Sequence, residues 1–201
     1  MSEKRSITAK TDKENPFFQD MIIETINENT TPISLAENLT ELFGPDCSPF
    51  PVVDCAKMLG VSVYKQDIQE NVLKGYLAVD DPDSPIICVN KNESVEHNRY
   101  LVAHLLWHYL YDYKFIERKN TIYAEFENNE EDISEKKADD FAVNLLMPND
   151  VFLKEVKRFS SYDPNIIVER LCNRFGVSQT AVIRRLRNVY PQMWFRIIAN
   201  I

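Results

Sequence analysis

Glycine is scarce in this chain. Four glycines and ten prolines in 201 residues exclude a linker-rich or disordered polypeptide. Long apolar runs are absent as well: none approaches the roughly 20 residues that a bilayer-spanning helix needs, so no membrane association is expected. The opening Met1-Ser2-Glu3-Lys4-Arg5 is not followed by the apolar stretch of a secretory signal. No C-x-x-C pair occurs. Cys47, Cys55, Cys88 and Cys172 are scattered, which fits reduced thiols in a cytoplasmic protein and not a disulfide framework. Positive charge is in deficit. A net charge of −8 argues against wholesale binding to nucleic acid or anionic membranes and leaves room only for a local basic patch.

The remaining composition is that of a globular protein with one core. Hydrophobic residues make up 44% and charged residues 27%. Apolar spacing predicts helices around Phe17–Ile26, over Ile33–Phe43 and over Val52–Leu59, the last two stopped by Gly44-Pro45 and Gly60. Alternating segments predict strands at Val61–Tyr64, Gly75–Val79, Pro85–Asn90 and Ile122–Phe126. A helix from about Asn98 to Tyr113 carries two of the three histidines. An acidic loop, Glu127 to Asp132, precedes a helix whose Asp132 and Glu135 have capping-box spacing and which ends at Met147-Pro148. Helices over Asp150–Phe159, Pro164–Phe175 and Ser178–Val189 and an apolar tail, Pro191–Ile201, complete the chain. The order of elements is α+β. The expected organisation is an N-terminal extension over 1–30, partly disordered or helical, a domain over 31–160, and C-terminal helices with their tail packed on it over 161–201.

His104-Leu105-Leu106-Trp107-His108 is the segment that carries chemistry. Histidines at i and i+4 share one helix face and can share a metal ion. In H-E-x-x-H zinc peptidases a glutamate follows the first histidine and serves as general base; here that position is Leu105. A zinc site needs at least three protein ligands. His97 lies upstream, so a carboxylate is the better third ligand, and spacing leaves Glu125, Glu127, Glu130, Glu131, Glu135 and Asp139 all open. Tyr109, Tyr111 and Tyr113 read as amphipathic packing residues in preference to oxyanion donors.

Two blocks resemble the ImmA/IrrE zinc metallo-endopeptidases. Glu135-Lys136-Lys137-Ala138-Asp139-Asp140-Phe141-Ala142-Val143-Asn144-Leu145-Leu146-Met147-Pro148 is similar to the family's E-x-x-A-x-x-F-A-x-x-L-L-M-P. Arg99, Tyr100, Ala103, His104, His108 and Leu110 align with its R-F-x-x-A-H-E-x-G-H-x-L, and residues 51–61 loosely resemble its P-V-x-V-x-x-L-A-x-x-L-G-I helix. The resemblance implies a zincin-like domain with a small mixed or antiparallel sheet, a metal-site helix and helix-turn-helix-like C-terminal helices. It implies zinc as cofactor, with Glu135 as third ligand beside His104 and His108. Leu105 in the base position and Trp107 in place of a small glycine mark a degenerate member, impaired in proteolysis. General acid–base help is worth about 10²–10⁴-fold in rate, and leucine supplies none. The implied partner is a helix-turn-helix transcriptional repressor or similar regulatory protein, held in a cleft beside an edge strand from Leu77–Val79 or Ile86–Val89.

Residues 166–188 resemble a helix-turn-helix, with Gly176 at the turn and Ser178 capping the second helix. Arg184, Arg185 and Arg187 are its candidate phosphate contacts. The same pattern closes the peptidase domain of the family as a packing element, and apart from Gln179 the helix lacks base-reading amides, so direct DNA binding is not the favoured reading. The competing functional readings are an active zinc endopeptidase with a non-standard base drawn from Glu127–Glu131, a DNA-binding regulator through 166–188, and a metal-free partner protein.

Overall fold

The computed structural model describes residues 16–44, 47–69, 73–81, 84–112, 121–126 and 133–191. The chain runs through α1 (Pro16–Thr25), α2 (Pro32–Phe43), α3 (Val52–Met58), β1 (Ser62–Gln66), β2 (Leu73–Val79), β3 (Ile86–Asn90) and α4 (Val95–Trp107). A π turn, His108–Asp112, extends α4. Then come β4 (Thr121–Phe126), α5 (Ile133–Leu146), α6 (Asn149–Phe159), α7 (Pro164–Phe175) and α8 (Gln179–Val189). The architecture is α+β, with four strands in one mixed sheet among the described residues. The terminal segments, the acidic loop and the apolar tail beyond Pro191 fall outside the described residues, as does the Asp132 end of the expected capping box.

Helix α4 is the centre of the molecule. Leu101, Val102, Ala103, Leu105, Leu106 and Trp107 are all buried, so the helix is apolar around most of its circumference, as a core helix must be. It packs against β2 and β3 on one side and against α3 and α5 on the others; α2 covers α5. Its start is one turn earlier than Asn98, the position expected from the sequence. Ser94 sets the boundary: its Oγ accepts the His97 backbone N–H at 3.1 Å. Its end also differs. In place of a regular α-helix to Tyr113, the chain widens into the π turn at His108, a distortion often found at functional sites.

The sheet order is β1-β3-β2-β4. β1 runs parallel to β3, and β2 runs antiparallel to both β3 and β4. Leu77–Val79 and Ile86–Val89, expected to supply an edge, therefore lie in the two central strands. The edges are β1 and β4, because β4 returns after α4 to pair with β2. Gly75, Leu77 and Val79 alternate as buried positions of β2 and pair with β3 through Gly75–Val89 and Leu77–Ile87.

Two residues lock α4 in place. Gly75 is the point where the helix presses closest: a Cβ there would lie 2.5 Å from the Cys88 carbonyl oxygen and 2.7 Å from Leu101 Cδ2. Arg99 reaches out of α4 to the C-terminal helices. Its Nε donates to the Gly176 carbonyl at 3.0 Å and its Nη2 to the Phe50 carbonyl at 2.8 Å. Gly176 is the left-handed cap of α7 (φ 63°), so the turn before α8 is fixed to α4 by a half-buried guanidinium. The core is continuous from Phe18 and Ile22 of α1 to Val182 and Leu186 of α8.

Gly75→Ala is expected to lower the free energy of unfolding by about 1–3 kcal/mol through overpacking. Chemical denaturation of the two proteins checks it, and equal midpoints would contradict the close approach of α4 to the sheet.

Candidate metal centre

α4 and α5 cross so that three side chains with lone pairs meet. His104 and His108 lie one turn apart on α4 and its π extension, and Glu135 lies in the first turn of α5. Their ligating atoms all fall within 4.8 Å of one another. The two Nε2 atoms are 3.1 Å apart, and Glu135 places Oε2 3.0 Å from His104 Nε2 and Oε1 3.5 Å from His108 Nε2. Both histidines are buried.

The outer nitrogens of the two rings decide their tautomers. His104 Nδ1 donates to Asp139 Oδ1 at 3.1 Å, and His108 Nδ1 donates to Asp112 Oδ2 at 2.6 Å. A carboxylate is an acceptor only, so each Nδ1 carries a proton, and in the neutral ring each Nε2 presents a lone pair. The supporting carboxylates are themselves held. Tyr100 Oη donates to Asp139 Oδ1, and Ser134 Oγ donates to Asp112 Oδ2. Metal-ligating histidines have this construction, in which a carboxylate fixes each ring and raises its basicity.

Two lone pairs and an anionic carboxylate thus converge on one buried point. That is unfavourable unless a cation or a proton lies among them. Burial alone would push the His108 pKa down, yet hydrogen bonds to Asp112 and Glu135 outweigh it and raise it above the ordinary histidine value. Asp139 is shifted the other way: burial would raise it, but the hydrogen bonds from His104 and Tyr100 and the charge of Arg184 hold it below the usual carboxylate range. The donor set also fits zinc. Two imidazole nitrogens on one tetrahedral zinc lie roughly 3.3 Å apart for bonds of about 2.0 Å, close to the observed separation.

The sequence model of the IrrE N-terminal-like domain matches residues 56–187, well over half of the chain. The chain belongs to the ImmA/IrrE metallopeptidase-like family. The α+β architecture is consistent with the zincin-like fold of that family, and the match spans every residue of the centre. No curated protein matches the sequence.

Of the ligand candidates left open by spacing, the family fold brings Glu135 to the two histidines. Asp139 lies behind His104 as a support, not beside its Nε2. The Glu125 side chain and Glu127, Glu130 and Glu131 lie outside the described residues. Tyr109 is buried and its hydroxyl accepts from Gln19 Nε2 at 3.2 Å; Tyr111 stacks on Trp107 with ring centres 4.6 Å apart and donates to the Glu28 carbonyl. Both serve packing. Tyr113 lies outside the described residues. Leu105 and Trp107 are 0% exposed, so the position that follows the first histidine is filled by core.

The three arginines of α8 have different surroundings. Arg185 is buried, donates from Nη2 to Asn144 Oδ1 at 3.0 Å and to the Met147 carbonyl at 3.2 Å, and has its pKa brought down to about 10 by burial. Reaching a phosphate would require breaking those bonds. Arg184 is exposed and pairs with Asp139; Arg187 is exposed. Sequence reasoning did not find Asp112, Ser134 or the supporting role of Tyr100. The i, i+4 spacing of His108 and Asp112 was the available signal.

The pH dependence of the metal-free protein follows from the two shifts. The raised pKa of His108 contributes stability that is fully present below its unfolded value and lost as pH rises through the folded value. The lowered pKa of Asp139 contributes stability present above its unfolded value, about 3.9, and lost as pH falls. Melting in the presence of a chelator is expected to show highest stability between about pH 4 and 6.5. Replacing His108 with Gln removes the alkaline decline; an unchanged decline would contradict the shift. Leu105→Glu, which forces a carboxylate into a wholly buried position, is expected to cost roughly 2 kcal/mol or more. A stability equal to that of the parent would show that position 105 is open to the centre.

Proposed function

We propose that the chain is a zinc-binding, proteolytically impaired member of its family that holds a regulatory protein without cutting it. One observation carries this reading: the ligand cluster and both of its supporting carboxylates are complete, while the residue next to His104 is a leucine sealed in the core. A lapsed metal site has no reason to keep Asp112 and Asp139 aimed at the outer nitrogens of its two histidines.

His104, His108 and Glu135 are the residues that would hold zinc. Zinc bound there supplies Lewis acidity, polarising an oxygen atom presented to it. Asp112 and Asp139 keep the imidazole rings oriented and hold a proton on each Nδ1, so that Nε2 is the nitrogen each ring offers to a metal. Efficient peptide hydrolysis also needs a group that takes a proton at the site and returns it to the leaving amine. Leu105 offers no such group, and the carboxylates of Asp112 and Asp139 are engaged by the histidine rings. The reading is therefore binding in place of turnover.

The partner class comes from the family resemblance: a helix-turn-helix repressor or a similar regulatory protein. An extended segment of that partner can add to a free sheet edge by backbone pairing. With β2 and β3 in the interior, β4 is the better edge, since it connects the helix of the two histidines to the helix of Glu135.

A helix-turn-helix repressor mixed with the zinc-loaded protein is expected to bind at a one-to-one ratio and to stay intact over hours. Gel filtration and intact-mass measurement check both. Cleavage that a chelator abolishes and zinc restores would contradict the reading and favour an active endopeptidase with another base. Asp112→Asn is expected to weaken zinc binding by about 10–100-fold, as loss of an outer partner does elsewhere.

A further inference from the structure

Asp139 is gripped at both of its oxygens. Oδ1 accepts from His104 Nδ1 and from Tyr100; Oδ2 faces Arg184 Nη1 at 3.5 Å. Arg184 lies on α8, eighty positions beyond His104, and α8 is seated on α5 by its buried neighbour. Arg185 donates to Asn144 on α5 and to the Met147 carbonyl at the end of that helix. The arginine that anchors the helix thus sets the arginine next to it over the carboxylate behind the metal ligand.

We propose that Arg184 is a positioning residue for His104, and that it couples the outer face of α8 to the metal centre. This rests on the zinc-binding reading above. A carboxylate held by one oxygen can rotate about its last bond and let the ring it supports tilt. One held by both oxygens cannot, so the His104 Nε2 lone pair stays aimed at the ligand point. Arg184 is 63% exposed, whereas Asp139 is 30% exposed. The pair is therefore open to solvent at its cationic end. Salt, or an acidic group that takes the guanidinium, releases Oδ2 and loosens the ring. Of the three arginines that the sequence offers as phosphate contacts, one is an anchor and one is a strut; Arg187 has no such link to the centre among the described residues.

Zinc affinity, measured by competition with a chromophoric chelator at low and high salt, tests the coupling in the full chain. The proteins needed are the parent, Arg184→Ala, Arg184→Lys and Arg187→Ala, with melting of each metal-free form as a control for folding. Because an exposed pair is a weak contact, Arg184→Ala is expected to bind zinc roughly two- to five-fold more weakly at low salt, with little change in melting. It is also expected to lose most of the salt dependence that the parent shows. Arg184→Lys restores much of both, and Arg187→Ala behaves as the parent. Equal affinities and equal salt dependence in the parent and Arg184→Ala would overturn the coupling while leaving the zinc reading intact, as would an Arg187→Ala variant that matches Arg184→Ala. A parent protein that takes up no zinc would overturn both.

Discussion

Three hydrogen-bond acceptors aimed at one buried point are the constraint on which this protein turns. His104 and His108 each spend one N–H on a carboxylate, so in the neutral rings the second nitrogens face each other and Glu135 with lone pairs. Repulsion among those atoms must be relieved by a cation or by protons. The arrangement persists because it is built into the crossing of two helices and braced from outside. α4 is packed against the sheet and α3, α5 lies across it, and Tyr100, Ser134 and Arg184 hold the carboxylates that hold the rings.

The same packing fills the position that follows His104. Leu105 belongs to the core that supports α4, and Trp107 is wedged between Tyr111 and Phe141. These side chains stabilise the helix that presents the histidines, and position 105 is part of the buried core. The C-terminal helices are part of the same construction. Arg99 fixes the turn before α8 and Arg185 fixes α8 to α5, so the helix-turn-helix-like segment is a brace for the site. Its basic face is partly consumed in that work.

Much of this was legible in the sequence, for physical reasons that can be named. The i, i+4 histidines announced a shared helix face. The block from Glu135 to Pro148 fixed the family and, through it, the third residue of the cluster. Helix limits marked by Gly44, Pro164, Gly176 and Ser178 followed from backbone restrictions and caps that act locally. What failed was non-local or rested on a single side chain. The start of α4 moved by a turn because Ser94, an unremarkable polar residue in a loop, makes the capping hydrogen bond. The edge strands were misjudged because hydrophobic alternation gives the faces of a strand but not its neighbours; β4 pairs with β2 across a long interval of chain. The supporting roles of Asp112 and Tyr100 were missed because a supporting carboxylate or phenol looks like any other polar residue until the ring it serves is in place.

Metal content tests the central claim most directly. The protein is purified without chelator, beside a variant in which His104 and His108 are both alanine, and zinc is measured per chain. The account predicts about one zinc per chain in the parent and none in the variant. A parent free of zinc, and unable to take it up on dialysis, would mean that protons alone relieve the buried cluster and would contradict the account.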